Sequence, residues 1–104
     1  MIAREELRER LAELTLVDAQ HPNAFRRRHL PHAVNLPADR VDALAPVLLP
    51  DLAAPIVVYC GSWLCRTSDR VARRLRALGY VDVRIYRGGR VDWRRAGLPL
   101  VRST

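Results

Sequence analysis

An unbroken apolar run, Pro55-Ile56-Val57-Val58-Tyr59, leads into Cys60, a short loop and a helical repeat, and this stretch restricts the fold more than any other. Four consecutive β-branched or aromatic residues without alternation predict a strand covered on both faces. From Ser68 onward, Val71, Ala72, Leu75 and Leu78 recur at helical spacing, and Gly79 closes the repeat. A doubly covered strand followed at once by a helix calls for a parallel sheet. Cys60 is thereby predicted at the strand's carboxyl end, against the first turn of a helix. Unpaired N–H groups, the helix dipole and Arg66 would there favour a thiolate. At a reference pKa of ~8.5 roughly 3% of a thiol is ionised at pH 7, and a drop of about two units would ionise about three quarters. The expectation is a depressed Cys60 pKa and a nucleophile.

The rest of the chain alternates in the same manner. Glu5 to Leu14 reads as an amphipathic helix with Leu7, Leu11 and Leu14 on one face, and Leu16-Val17-Asp18 as a short strand ending in a carboxylate. Pro22 to His29 predicts a helix, Ala33 to Leu36 a strand, and Asp39 to Leu44 a helical turn. Val83 to Tyr86 alternates as a strand, and Val91 to Ala96 is a last short helix stopped by Gly97 and Pro99. Strands alternating with helices predict an α/β fold.

A chain of 104 residues makes one domain, residues 1–104, with no room for a second core. A hydrophobic fraction of 49% argues against disorder, and no apolar run approaches the ~20 residues of a membrane span. Met1 to Leu7 is charged within a few residues and lacks a signal-like apolar segment, so a cytoplasmic, reducing setting is expected. Two cysteines in one loop suit chemistry better than stapling. The 18 basic residues are all arginine and the net charge is +7, which draws small anions. These arginines are scattered, apart from Arg26-Arg27-Arg28, and are not interleaved with aromatics, so nucleic acid is not the expected partner. His21, His29 and His32 show no paired spacing with the cysteines, and no metal or cofactor is expected.

In that order and spacing, the segments resemble the rhodanese-like domain family from Leu16 to about Pro99. Leu16-Val17-Asp18-Ala19-Gln20 is similar to the family's opening strand. Phe25-Arg26-Arg27-Arg28-His29-Leu30-Pro31-His32-Ala33-Val34-Asn35-Leu36-Pro37 is similar to its next segment, and Val57-Val58-Tyr59-Cys60 to the strand that delivers its nucleophile. Leu78-Gly79-Tyr80 with Val83, then Gly88-Gly89, Trp93 and Gly97-Leu98-Pro99, complete the likeness. The resemblance implies an α/β, rhodanese-like fold around a five-stranded, mostly parallel sheet with helices on both faces. It also implies a sulfurtransferase: the cysteine takes the sulfane sulfur of thiosulfate or a related small anionic donor, becomes a persulfide, and passes the sulfur to cyanide, a thiol or a protein sulfur carrier. Carried onto this chain, Cys60 is the nucleophile, and Gly61, Ser62, Trp63, Leu64, Cys65 and Arg66 form the cradle whose N–H groups hold the anion. Asp18 is expected near the mouth of the site as a supporting residue.

Departures from the pattern leave alternatives open. The family commonly places an arginine five positions after the cysteine; here that position is Cys65, and Arg66 stands one further on. The loop is either longer by one residue, with Arg66 in the usual role, or of ordinary length with the arginine replaced by Cys65. Gln20 stands where the opening motif usually has arginine, which weakens the case for thiosulfate as best donor. Cys65 is either a structural thiol or a resolving one that captures an oxidised Cys60 as a disulfide. Cys60-x5-Arg66 also has the spacing of cysteine-dependent phosphatases, although Tyr59 stands where their signature has histidine, and a non-enzymatic redox-sensing or binding module is the third reading.

Overall fold

The computed structural model describes residues 1–103. In chain order the elements are α1 (Arg4–Glu9), β1 (Thr15–Asp18), α2 (Pro22–Arg27), β2 (Val34–Asn35), a 3-10 turn (Ala38–Arg40), α3 (Val41–Leu48), β3 (Ile56–Tyr59), α4 (Thr67–Ala77), β4 (Val83–Tyr86) and α5 (Gly89–Arg95). The sheet runs β2-β1-β3-β4 with every neighbouring pair parallel. Because successive strand residues face opposite ways, β3 feeds two cores. Ile56, Val58 and Cys60 pack with Val41 and Ala45 of α3 and Val71, Ala72 and Leu75 of α4. Val57 and Tyr59 pack on the other face with Leu7 of α1 and Trp93 of α5. All four residues of β3 are buried, as the unbroken apolar run requires.

Among the described residues the sheet has four strands, where five were expected. A further pairing begins with a single antiparallel bridge, His29 with Val101, joined by two N–H···O bonds of 2.9 Å. In that register the next hydrogen-bonded pair on one side is Pro31 opposite Pro99. Neither has an N–H to donate, so the ladder stops there. His29 consequently leaves α2 two residues earlier than its sequence pattern suggested; its Nδ1 donates to the Phe25 carbonyl at 2.7 Å and its ring stacks on Phe25.

Helix α1 is also shorter than the Leu7, Leu11, Leu14 spacing suggested. Arg10 takes non-helical dihedrals and the chain continues as turns to Leu14, yet Leu11 and Leu14 still reach the same core as Leu7. The expected helical turn at Asp39 to Leu44 is instead the 3-10 turn followed by a longer α3. No helix among the described residues is long and apolar enough to cross a membrane.

Candidate functional site

The carboxyl ends of β3 and β4 meet the first turn of α4 at Cys60. Its side chain is 2% exposed, and its sulfur lies 3.6 Å from Ser68 Oγ and 3.5 Å from the carbonyl oxygen of Cys65, to which the thiol donates. The 61–66 loop folds back over it: Cys65 N–H donates to the Ser62 carbonyl at 3.1 Å, and Leu64 N–H to Ser62 Oγ at 3.4 Å. Trp63 and Leu64, at the tip, are 54% and 90% exposed.

The start of α5 fixes the loop from the other side. Arg90 N–H donates to the Cys60 carbonyl at 3.0 Å and Val91 N–H to the Gly61 carbonyl at 2.9 Å. Gly89, at φ 64°, lets this approach happen, since a Cβ there would lie 2.2 Å from the Cys60 carbonyl oxygen. Gly89 is thus a requirement of backbone contact behind the cysteine.

The expected depressed pKa of Cys60 is corrected by this geometry. Burial pushes its thiol up, and the hydrogen bond with the Cys65 thiol acts in the same direction, against a smaller opposing effect of Ser68. Cys65 goes the other way. Its own burial raises it, but hydrogen bonds from Cys60, from Thr67 and from the Gly61 backbone outweigh that and hold it below the usual thiol range. The two thiols are thus pushed apart in acidity, Cys60 up and Cys65 down. Loop and helix-start N–H groups do favour a thiolate: those of Gly61 and Thr67 act on Cys65, and that of Ser68 on Cys60, where it does not overcome burial.

Arg66 does not support Cys60. Its side chain is 75% exposed and pairs with Asp69 at 3.6 Å. The guanidinium beside the thiol belongs to Arg87, which sequence reasoning did not single out. Tyr59 pairs with Tyr86 in the β3–β4 register, so Cys60 and Arg87 are the next residues on adjoining strands and leave the same face of the sheet. Arg87 is 18% exposed and is held bidentate by Asp69 of α4 at 2.7 and 2.8 Å. Asp69 first, and then the charge of Cys60, raises the Arg87 pKa. The only trace of this in the sequence was the arginine preceding Gly88-Gly89.

Asp18 lies away from the mouth of the site, on the opposite face from Cys60. It is fully buried beside Tyr59, whose hydroxyl donates to it at 2.5 Å and in turn accepts from Leu30 N–H at 3.0 Å. Burial raises its carboxyl pKa, against the hydrogen bonds of Tyr59 and Gln20. Its reach to the site is indirect: Gln20 donates through N–H and Nε2 to Asp18, while Gln20 Oε1 accepts from Arg90 Nε at 3.4 Å.

Two hollows flank the loop. A cleft of about 480 Å³ is lined by Gln20, Asp39, Gly61, Cys65, Thr67 and Arg70. A second, of about 400 Å³, runs past Arg4, Trp63, Arg87 and Gly88. Cys65 and Gly61 open to the first, Trp63 and Arg87 to the second, and Cys60 lies beneath the loop between them. The histidines are engaged elsewhere: His21 caps α2 by accepting from Asn23 N–H, and His32 sits in a turn at φ 68°.

Comparison with known proteins agrees with this architecture. A "Sulfurtransferase" of Allochromatium vinosum is 32% identical over 102 residues, covering 93% of this chain and 90% of its own. An HTH-type transcriptional regulator of Mycobacterium tuberculosis is 36% identical over 102 residues, covering 95% of this chain but 43% of its own length, and an uncharacterized protein of Synechocystis is 32% identical with 52% of its length covered. The chain thus spans about half the length of these last two relatives. Among solved structures, a thiosulfate sulfurtransferase of Pseudomonas aeruginosa superposes with a TM-score of 0.84 at 33% identity, over 96% of this chain and 19% of that one. A rhodanese of E. coli gives 0.72 at 26%, over 86% and 99%. The rhodanese-like domain family matches residues 3–96. With parallel β1, β3 and β4 delivering a cysteine beneath a loop that opens α4, this chain belongs to the rhodanese-like domain family.

Proposed function

We propose that this domain is a sulfurtransferase that carries sulfane sulfur as a persulfide on Cys60. The observation that carries the reading is the placement of Cys60: a thiol at the carboxyl end of β3, roofed by the 61–66 loop, beside the Arg87 guanidinium and against the backbone carbonyl of a second cysteine. Seclusion suits a persulfide carrier, because a buried persulfide meets fewer competing thiols and less water. The Allochromatium relative's name points to the same chemistry.

The raised Cys60 pKa leaves a minor thiolate fraction at neutral pH, and attack draws on that fraction. The Cys60 thiolate, its proton lost to water, attacks the outer sulfur of thiosulfate, sulfite leaves with the electron pair of the broken S–S bond, and Cys60 holds the anionic persulfide. Arg87 and the loop N–H groups offset the negative charge. A small anion is drawn in by the net charge of +7 and meets cations in either hollow, Arg70 in one and Arg4 and Arg87 in the other. The acceptor is a thiol, cyanide or a protein sulfur carrier.

The phosphatase reading loses its support, since Arg66 is turned out to Asp69 and does not face the cysteine. Thiocyanate formation from thiosulfate and cyanide, measured beside aryl-phosphate hydrolysis, tests the proposal. Wild type should form thiocyanate and Cys60→Ser should not; aryl-phosphate turnover without thiocyanate would reverse the assignment.

A further inference from the structure

Cys65 is not required to hold a sulfur on Cys60, yet its position gives it a reaction with one. Its carbonyl oxygen lies 3.5 Å from the Cys60 sulfur, and the turn closed by Cys65 N–H and the Ser62 carbonyl holds it there. Cys65 also lines the 480 Å³ cleft, whereas Cys60 is buried behind it. One thiol is thus shielded and the other is open to small molecules.

We propose that Cys65 resolves the Cys60 persulfide by attacking its inner sulfur, so that the domain releases hydrosulfide and is left with a Cys60–Cys65 disulfide that an external dithiol reductant reopens. This rests on the reading of Cys60 as the persulfide carrier and adds to it a second activity, the reduction of sulfane sulfur to sulfide. Cys65 is anchored through its carbonyl at the Cys60 sulfur itself, which makes the inner atom the target, since the outer sulfur stands one S–S bond, ~2.05 Å, further away.

The step balances. After loading, Cys60 bears –S–S⁻ and Cys65 is a protonated thiol. The Cys65–Cys60 S–S bond forms as the bond to the outer sulfur breaks, and that sulfur departs with the electron pair and the Cys65 proton as HS⁻. Two cysteine sulfurs are oxidised by two electrons in all, and the sulfane sulfur is reduced to sulfide. Thiol–disulfide exchange with a dithiol, entering from the cleft side where Cys65 is exposed, restores both thiols.

The experiment uses inorganic polysulfide to load the reduced protein in the absence of added thiol. Excess polysulfide is then removed, and the protein's mass and the sulfide it subsequently releases are followed together. Wild type should lose its extra sulfur, release one sulfide per chain and end two hydrogens lighter than the reduced protein, with Cys60 and Cys65 in one disulfide-linked peptide. Cys65→Ser should keep the extra sulfur on Cys60 and release none until a thiol is added. Wild type that retains the extra sulfur as long as Cys65→Ser, or that carries it on Cys65 without sulfide release, overturns the proposal while leaving Cys60 as carrier. An absence of sulfur gain in either protein overturns the carrier reading and the resolving step together.

Discussion

Replacing Arg87 by Gln removes the cation beside Cys60 while keeping a polar side chain of similar reach. Side chains leaving the same face of strands ~4.8 Å apart place a guanidinium on the order of 6 Å from the thiolate, where an effective dielectric of ~20 gives about 2.8 kcal/mol of attraction. Asp69, paired with Arg87, remains in both proteins, so its effect cancels in the comparison. The attraction lost corresponds to about two pKa units. Arg87→Gln should therefore raise the Cys60 pKa by about that amount and slow its alkylation about a hundredfold at neutral pH. Iodoacetamide labelling across pH, read separately at Cys60 and Cys65 by peptide mass spectrometry, measures it. The Cys65 profile should move less, because loop and Thr67 hydrogen bonds set its acidity. A Cys60 profile identical in Arg87→Gln and wild type would refute the assignment of Arg87 to the thiol.

Arg66→Ala should leave both alkylation profiles where they are, because its side chain is exposed and pairs with Asp69; a shift as large as that of Arg87→Gln would return the role to Arg66. Gly89→Ala should cost about 2–3 kcal/mol in urea unfolding, from ~1–2 for a left-handed residue with a Cβ and ~1 for the Arg90 hydrogen bond lost as the Cys60 carbonyl is pushed away; a loss below ~1 kcal/mol would mean that the loop yields freely. Asp18 titrates above its unfolded value because it is buried, so its contribution to stability is fully present below ~3.9 and is lost as pH rises through the raised folded pKa. Asp18→Asn should flatten that part of the stability profile, and an unchanged slope would place the pH dependence elsewhere.

The parts of this domain that were legible in the sequence are those in which one segment dictates its own surroundings. Ile56 to Tyr59 had to be a strand covered twice, and Val71, Ala72 and Leu75 had to face one core, because no other arrangement buries them. Val83 to Tyr86 is the strand its alternation described. What escaped was set between segments. Arg87 acquires its role from the β3–β4 register and from Asp69 on α4, three segments whose alignment no local pattern encodes. Arg66 looked better placed because it is nearer in sequence, but as the residue preceding α4 it points outward. The missing fifth strand depends on Pro31 meeting Pro99, a coincidence visible only once His29 is known to pair with Val101. The division of acidity between Cys60 and Cys65 likewise follows from depth, one thiol under the loop and one on the cleft.

The measurement closest to the central claim is the location of the sulfur itself. Reduced Cys65→Ser protein, treated with thiosulfate, alkylated to cap any persulfide and fragmented in the mass spectrometer, should carry one additional sulfur on Cys60 and none elsewhere, and cyanide added before alkylation should remove it as thiocyanate. A protein that turns over thiosulfate and cyanide while Cys60 never gains sulfur would contradict the account.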